Sequence, residues 1–346
     1  MKHACVQDES VFDLWIEEGF SRSLPGSAGT TQCWAELRWS VRLGRAPSRG
    51  FVAGQGGRTI PQSLAARLDA LQRHLGEALF ARVAGPEGPA NRARFNTQGP
   101  RWFPPDRPIR RVHGDASMFV GGLLALLLQS LHPQAMIAVA QHSDYRNDPW
   151  GRLQRTSTFL AATTYGPAED AQRAVDHVRS VHQQITGTDR DGRPYRADDP
   201  HLLRWVHVAE TDSFLRCHQR YGAQPLDAAG CDGYVADTAR IAVALGVPDP
   251  PRTRQELAAA LDAYRPELRA TPDALEAARF LVWNPPLPLL ARGPYTLLAA
   301  TAIAELPLWA RRELRLPRLH VAESMLVPPA GRAIVSTIRW AMGARR

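Results

Sequence analysis

The chain has 346 residues, a formal net charge of +8 and a 44% share of hydrophobic residues. That length suffices for one large or two ordinary domains with a sizeable core. The positive charge comes from arginines interspersed with acids, since Lys2 is the only lysine. No helix-turn-helix, zinc-finger or aromatic-basic motif accompanies it, so nucleic acid is not an expected partner.

The cysteines and the N-terminus bear on the compartment. The four cysteines show no CxxC spacing, so neither a zinc site nor a disulfide framework is indicated. The N-terminus lacks the basic-then-apolar profile of a signal peptide. We therefore expect a cytoplasmic protein in a reducing compartment.

Residues 1–58 differ from the rest of the chain, because they have no sustained apolar period. They predict a poorly ordered N-terminal extension. Leucines then recur at helical spacing from Leu64 to Leu79, which predicts an amphipathic helix. We assign residues 59–346 to a single all-helical domain.

Residues 118–131 are nearly all apolar but too few to span a bilayer, which takes about 20 residues. Pro133 interrupts the run, which resumes after it. This predicts a buried core helix, bent or broken at His132-Pro133, and no transmembrane segment. A helix lying on a membrane surface is the alternative, and it lacks the polar face expected there.

Residues 148–187 predict two helices joined by a turn at residues 165–167. The first carries Arg152, Arg155, Thr156 and Phe159 on one face. On the second, His182 shares an apolar stripe with Val175, Val178 and Ile185, and Gly187 is expected to end that helix.

The remaining elements are also predicted to be helices. One begins at Asp199-Pro200 and carries His207 and Glu210 on its inner side. Others follow at residues 232–245 and 253–268, with two more stretches towards the C-terminus. No alternating strand pattern of useful length occurs, so the predicted fold class is all-α.

Each polar residue on these inner faces has two interpretations. His182 is either a core histidine bonded to backbone or carboxylate, or an axial haem ligand. His207 has the same two interpretations. Arg152, Arg155 and Thr156 either form structural contacts, with an ion pair to Asp148 or Asp144, or line a ligand site, where arginine suits propionate carboxylates.

Two other site types are disfavoured. The sequences at residues 113–115 and 142–144 bring histidine and aspartate together, but no Gly-x-Ser-x-Gly elbow accompanies them, so a hydrolase is not indicated. His177 and His182 are five residues apart and point away from each other, which argues against a paired zinc site.

Several motifs together resemble one oxygenase family. They are residues 101–145, DPWGRLQRTSTFL, YGPAEDA, VHQQITG, YRADDPHLLRWVHVAET and LGVP, in the same order as in that family. The family contains the latex-clearing rubber oxygenases and the MpaB-type oxygenases. The resemblance implies a globin-like helical core that binds haem b and oxidises isoprenoid double bonds with O2.

The resemblance also implies roles for individual residues. His182 matches the histidine that ligates iron in the latex-clearing proteins, and His207 matches a second histidine near the haem. Arg152, Arg155 and Thr156 match the distal Arg-x-x-Lys-Thr stretch, with Arg155 in place of the lysine. Because arginine stays protonated, we expect five-coordinate or water-ligated iron. Asp144 is a candidate for the family's distal acidic residue.

The predicted function is therefore a haem b oxygenase acting on a hydrophobic small molecule, with peripheral membrane contact left open. A helical protein that binds haem or a hydrophobic ligand without catalysis is the alternative. A haem-free protein whose histidines lie in the core is a third interpretation.

Overall fold

The computed structural model describes residues 62–318 and 320–343. The predicted N-terminal extension, residues 1–58, lies outside this part of the chain. Within it, the fold is all-α, as predicted. Its fourteen helices are α1 (Gln62–Ala84), α2 (Gly88–Phe95), α3 (Pro108–His113), α4 (Met118–Gln129), α5 (Pro133–His142), α6 (Pro149–Tyr165), α7 (Ala168–Gln184), α8 (Pro200–Tyr221), α9 (Ala228–Leu245), α10 (Arg254–Tyr264), α11 (Pro272–Trp283), α12 (Leu289–Glu305), α13 (Leu308–Glu313) and α14 (His320–Ala341).

The starts of several helices follow from local sequence. Asp148 caps α6 by accepting a hydrogen bond from Gly151 N at 2.8 Å, and Asp199 caps α8 in the same way through His201 N. In both cases proline occupies the first helical position, where its missing N–H is not needed.

The apolar segment is broken as predicted, because α4 ends at Gln129 and α5 begins at Pro133, and the two helices meet at 106°. Among the described helices, none alone is long and apolar enough to cross a membrane, and this bent pair passes that test only when it is taken together. Helix α4 packs against α8, α11 and α12. Gly121 permits the close approach to α8, since a Cβ there would lie 2.8 Å from Phe214 Cδ1.

Two apolar clusters form the core. The first surrounds α4 and includes Leu124 and Leu128 together with Trp205 of α8. The second lies between α3, α7, α8 and α9 and includes Val175 and Tyr234. Helix α8 therefore contributes to both clusters.

One expectation is wrong in detail: α7 ends at Gln184, and Gly187 does not end it. Instead, strands β1 (Thr186–Thr188) and β2 (Pro194–Arg196) form an antiparallel hairpin in which Gly187 faces Tyr195. A Cβ on Gly187 would lie 2.5 Å from Tyr195 Oη, so the glycine serves a close approach of two strands. Three-residue strands are too short to show a period in the sequence.

The Asp115 carboxylate ties distant segments together. It accepts hydrogen bonds from Ser117 N at 2.8 Å, Ala223 N at 3.1 Å and Arg339 Nη2 at 2.9 Å. It thus joins the α3–α4 turn to the end of α8 and to α14. Burial alone would raise the pKa of Asp115, but the hydrogen bonds outweigh burial and lower the pKa below its usual value.

Asp115→Asn is expected to lower the free energy of unfolding at pH 7 by about 3 kcal/mol, because it leaves buried Arg339 without its counter-charge. Since the folded-state pKa of Asp115 is lowered, the wild-type advantage is present above the unfolded pKa, about 4, and is lost as the pH falls below it. Denaturant unfolding across pH checks this. Asp191→Asn is the control, because Asp191 and its partner Arg269 are both largely exposed and should contribute under about 1 kcal/mol. Equal losses in the two variants would contradict the assignment.

Candidate active site

Helix α7 presents His182 in its last turn. Val175, two turns earlier on the same face, is buried, and His182 itself is partly buried. Its imidazole makes no hydrogen bond to any described residue. Burial lowers the pKa of His182, against an opposing effect of Asp198. The ring is therefore neutral at pH 7 and has a nitrogen available to a ligand.

Helix α8 lies across from α7 without packing closely on it. Helix α9 packs against both, whereas α7 and α8 hardly touch each other within the described chain. On α8, His207 and Glu210 are enclosed by protein, yet both residues keep intermediate accessibility. Each side chain is therefore surrounded by protein atoms and still keeps some accessible surface.

The imidazole of His207 is oriented by a chain of hydroxyl groups. Thr238 donates to Val235 O, Thr211 donates to Thr238 Oγ1 at 3.3 Å, and His207 Nδ1 lies 3.4 Å from Thr211 Oγ1. Because the Thr211 proton is used towards Thr238, His207 Nδ1–H is the donor to Thr211. Burial, with Arg204, lowers the pKa of His207 to about 4. Its Nε2 therefore carries a lone pair, and this buried atom has no hydrogen-bond partner.

A second group of polar side chains has members from four helices. His113 of α3 contacts Thr164 Oγ1 of α6 at 2.8 Å and Tyr234 Oη of α9 at 3.3 Å. Glu210 of α8 lies near Tyr234 and contributes to raising its pKa, after burial. Burial lowers the pKa of His113 to about 3 and raises that of Glu210 to about 7. Glu210 is thus an enclosed acid with a near-neutral pKa, which suits proton transfer.

Sequence reasoning placed Glu210 on the inner side of α8 but gave it no role. The available signal was its position three residues after His207, which puts an acid and a histidine on one face of a helix. The contact of Tyr234 with His113 had no signal in the sequence, because it joins residues from distant helices. The structure places Asp144, the earlier candidate acid, in an exposed loop where it accepts a hydrogen bond from Asn147.

The three residues predicted on one face of α6 have different surroundings in the structure. Arg152 is enclosed and its Nη1 donates to Ser143 Oγ at 2.5 Å, and burial, with the charge of Arg155, lowers its pKa. Arg155 forms an ion pair with Asp148 at 3.4 Å, one of the two structural pairs anticipated for these arginines. Thr156 is exposed, and its hydroxyl donates to Arg152 O within the helix. Their functional roles stay predictions.

No hydrogen bond or ion pair among the described residues joins His182 to His207 or to Arg152. The three side chains lie on three separate helices: Arg152 on α6, His182 on α7 and His207 on α8. Of these helices, α6 packs on α7, and α9 bridges α7 and α8. A single ligand in contact with all three side chains stays a prediction.

The comparisons with known proteins bear on what that ligand is. No curated protein and no solved structure matches the chain, so the globin-like arrangement stays a prediction. One protein family does match, and it is described as ER-bound oxygenase mpaB/B'/rubber oxygenase, catalytic domain. The match covers residues 110–340, which include all three helices. More than half of the chain thus matches an oxygenase catalytic domain, and the protein belongs to the mpaB/rubber oxygenase family.

Proposed function

We propose that this protein is a haem b-dependent oxygenase that uses O2 to oxidise a carbon–carbon double bond in a hydrophobic, isoprenoid-like small molecule. Membership of the family supports oxidoreductase chemistry of the oxygenase type. The observation that carries the haem assignment is His182, a neutral and partly buried imidazole with no hydrogen bond to a described residue.

The residues present fit a haem group. A histidine that ligates haem iron must be neutral with a free nitrogen, and both His182 and His207 meet that requirement. We assign the iron ligand to His182. We propose that His207 of α8, whose Nδ1 is held by Thr211, faces the bound haem. Arg152 supplies an enclosed cation on α6, which suits a propionate carboxylate.

The substrate class follows from the side chains near the polar groups. Phe159 and Leu160 of α6 are partly buried and pack against the second apolar cluster. Val178 of α7 is also partly buried, one turn before His182. Accessible apolar side chains of this kind favour a hydrophobic substrate over a charged one.

The chain and the cofactor contribute different chemistry. Haem b, when bound, supplies the redox chemistry with O2 that no amino-acid side chain provides. The chain orients the substrate through its apolar side chains and keeps bulk water away from the enclosed groups. Glu210 Oε holds or releases a proton near neutral pH, and Tyr234 beside it stays protonated.

A helical protein that binds haem without catalysis is the second candidate, because it would need the same histidines. Oxygen consumption with prenyl-chain alkenes separates the two, since only an oxygenase consumes O2 with substrate. The cytoplasmic location and a peripheral membrane contact stay predictions.

The protein purified from cells supplied with haem precursor is expected to show a Soret band that shifts on reduction and again with carbon monoxide. His182→Ala should reduce the haem-to-protein ratio to background, because the iron loses its protein ligand. His177→Ala on the exposed face of the same helix is the control and should keep full occupancy. Full haem occupancy in His182→Ala would falsify the ligand assignment. If His207→Ala lost haem and His182→Ala did not, the iron ligand would be His207 of α8.

Arg152→Ala is expected to lower haem affinity or the rate of O2 uptake about 10-fold or more, because a hydrogen bond to a charged group contributes roughly 1.5–3 kcal/mol. Arg152→Lys keeps the charge and should recover part of the loss. Haemin titration and an oxygen electrode provide the measurements, with circular dichroism to verify folding. Wild-type values in Arg152→Ala would remove this residue from the site.

Glu210→Gln tests the enclosed acid through stability. Because the folded-state pKa of Glu210, about 7, lies above its ordinary value of 4.5, the folded protein binds the extra proton between these values. Wild-type stability should therefore fall by about 3 kcal/mol as the pH rises from 4.5 to 7, and Glu210→Gln should lack this fall. Unfolding of the haem-free protein at pH 5 and pH 8 measures it. Glu169→Gln, an exposed acid of α7, is the control and should follow the wild type. Parallel behaviour of Glu210→Gln and wild type would contradict the enclosed setting.

A further inference from the structure

A second group of ligand-type side chains lies at the α4–α5 break. His132 precedes α5, His201 is in the first turn of α8, and Glu267 ends the 3₁₀ turn that follows α10. One donor atom from each of these residues lies within 4.8 Å of the other two. None of the three belongs to the candidate active site described above.

The distances within the group lie near those of a metal centre. His132 Nε2 is 3.5 Å from Glu267 Oε2, and His201 Nε2 forms a hydrogen bond of 2.8 Å with the same oxygen. Ligand atoms of a tetrahedral zinc ion, at about 2.0–2.1 Å from the metal, are about 3.3 Å apart. His201 and Glu267 are about half exposed, so small rotations of these side chains suffice to adjust the spacing.

His132 provides the independent sign of a ligand. Its side chain is only 4% exposed, and its buried Nε2, aimed at Glu267, has no hydrogen-bond partner. A buried nitrogen without a partner is costly, and a bound cation would remove that cost. The rings of Trp205 and Tyr264 enclose the group, with Trp205 6.3 Å from the His132 ring.

The surroundings of His201 favour ligation through Nε2. The buried Tyr264 donates its hydroxyl proton to His201 O at 2.9 Å, so its oxygen is left to accept from His201 Nδ1–H at 3.4 Å. When a metal ion replaces the proton between His201 Nε2 and Glu267 Oε2, this contact can hold the remaining proton on Nδ1. Metal-bound histidines are commonly held by such an outer contact.

We infer that His132, His201 and Glu267 form a binding site for a divalent ion of the zinc type. Two imidazoles and one carboxylate are the ligands that Zn²⁺ and Co²⁺ prefer, whereas Ca²⁺ and Mg²⁺ require oxygen ligands. Three protein ligands leave a fourth position for water on the exposed side. Binding gives up two contacts. One is the hydrogen bond of 2.8 Å between His201 Nε2 and Glu267 Oε2. The other is the weak contact between Ala135 N and His132 Nδ1 at 3.5 Å, because His132 must then carry its proton on Nδ1.

The site joins three segments that the sequence places far apart. The ion would connect the start of α5, the start of α8 and the turn after α10, where Arg269 N already donates to Leu131 O at 2.9 Å. A ligand that binds only the folded state increases the free energy of unfolding by mass action, so Zn²⁺ should raise the unfolding temperature.

The test uses the full-length protein with its affinity tag removed, stripped of metal with chelator, and titrated with Zn²⁺ by calorimetry. We expect one Zn²⁺ per chain, no response to Mg²⁺, and the absorption bands of tetrahedral Co²⁺ when that ion is added. His201→Ala and Glu267→Gln alter largely exposed side chains and should each weaken binding at least about 100-fold, since loss of a ligand exceeds the 10–100-fold effect of losing an outer contact.

His74→Ala is the matched control, because His74 is exposed on α1 and should leave zinc binding unchanged. The unfolding temperature with and without Zn²⁺ gives a second measurement, and the shift should vanish in the two site variants. Absence of zinc binding by the wild type, or wild-type affinity in either site variant, would overturn the proposal. Neither result depends on haem, so the fate of the proposed oxygenase function is decided separately.

Discussion

The burial of α4 is the constraint on which the rest of the structure depends. This helix is apolar nearly all round, with Leu124, Leu127 and Leu128 fully buried and Leu126 left exposed, so most of its surface must be covered. Helices α8, α11 and α12 provide that cover. Because Gly121 brings α8 to close contact, the position and rotation of α8 are set by apolar packing before any functional group is considered.

The rotation of α8 then determines where its polar side chains go. Trp205 packs in the α4 cluster and Val208 packs in the cluster that includes Tyr234. These two residues are three apart and share one face of α8, whereas His207 and Glu210 lie farther round the helix and are also enclosed. Burying an acid and a histidine in this way costs stability, and the raised pKa of Glu210 and lowered pKa of His207 are the sign of that cost. Groups of this kind are common at functional sites.

The sequence predicted what depends on local pattern. The all-α class, the break at His132-Pro133 and the inward direction of His207 and Glu210 follow from apolar period and from proline, and the structure agrees. Gly187 was assigned wrongly because a glycine after a helical run can mark either the end of a helix or a close contact between two strands. The contacts of Tyr234 with His113, and of Glu267 with His132 and His201, could not be predicted, because they depend on how distant helices pack. Thr156 shows the same limit, since the spacing that groups it with Arg152 does not fix how far around the helix the covered face extends.

The two walls of the candidate site are held by different kinds of interaction. Helix α8 is held by apolar burial, whereas α6 and α7 are tied to earlier segments by polar contacts. Asp170 of α7 accepts hydrogen bonds from Arg94 of α2 at 2.7 Å, and Ser157 of α6 donates to Val83 O of α1 at 2.6 Å. Helices α1 and α2 precede the matched catalytic domain, so part of the support for one wall comes from outside it. Helix α7 also contributes Val175 to the second apolar cluster, so it is held by apolar and polar contacts together. On these two helices Phe159, Val178 and His182 keep intermediate accessibility, which is the feature that the proposed ligand site requires.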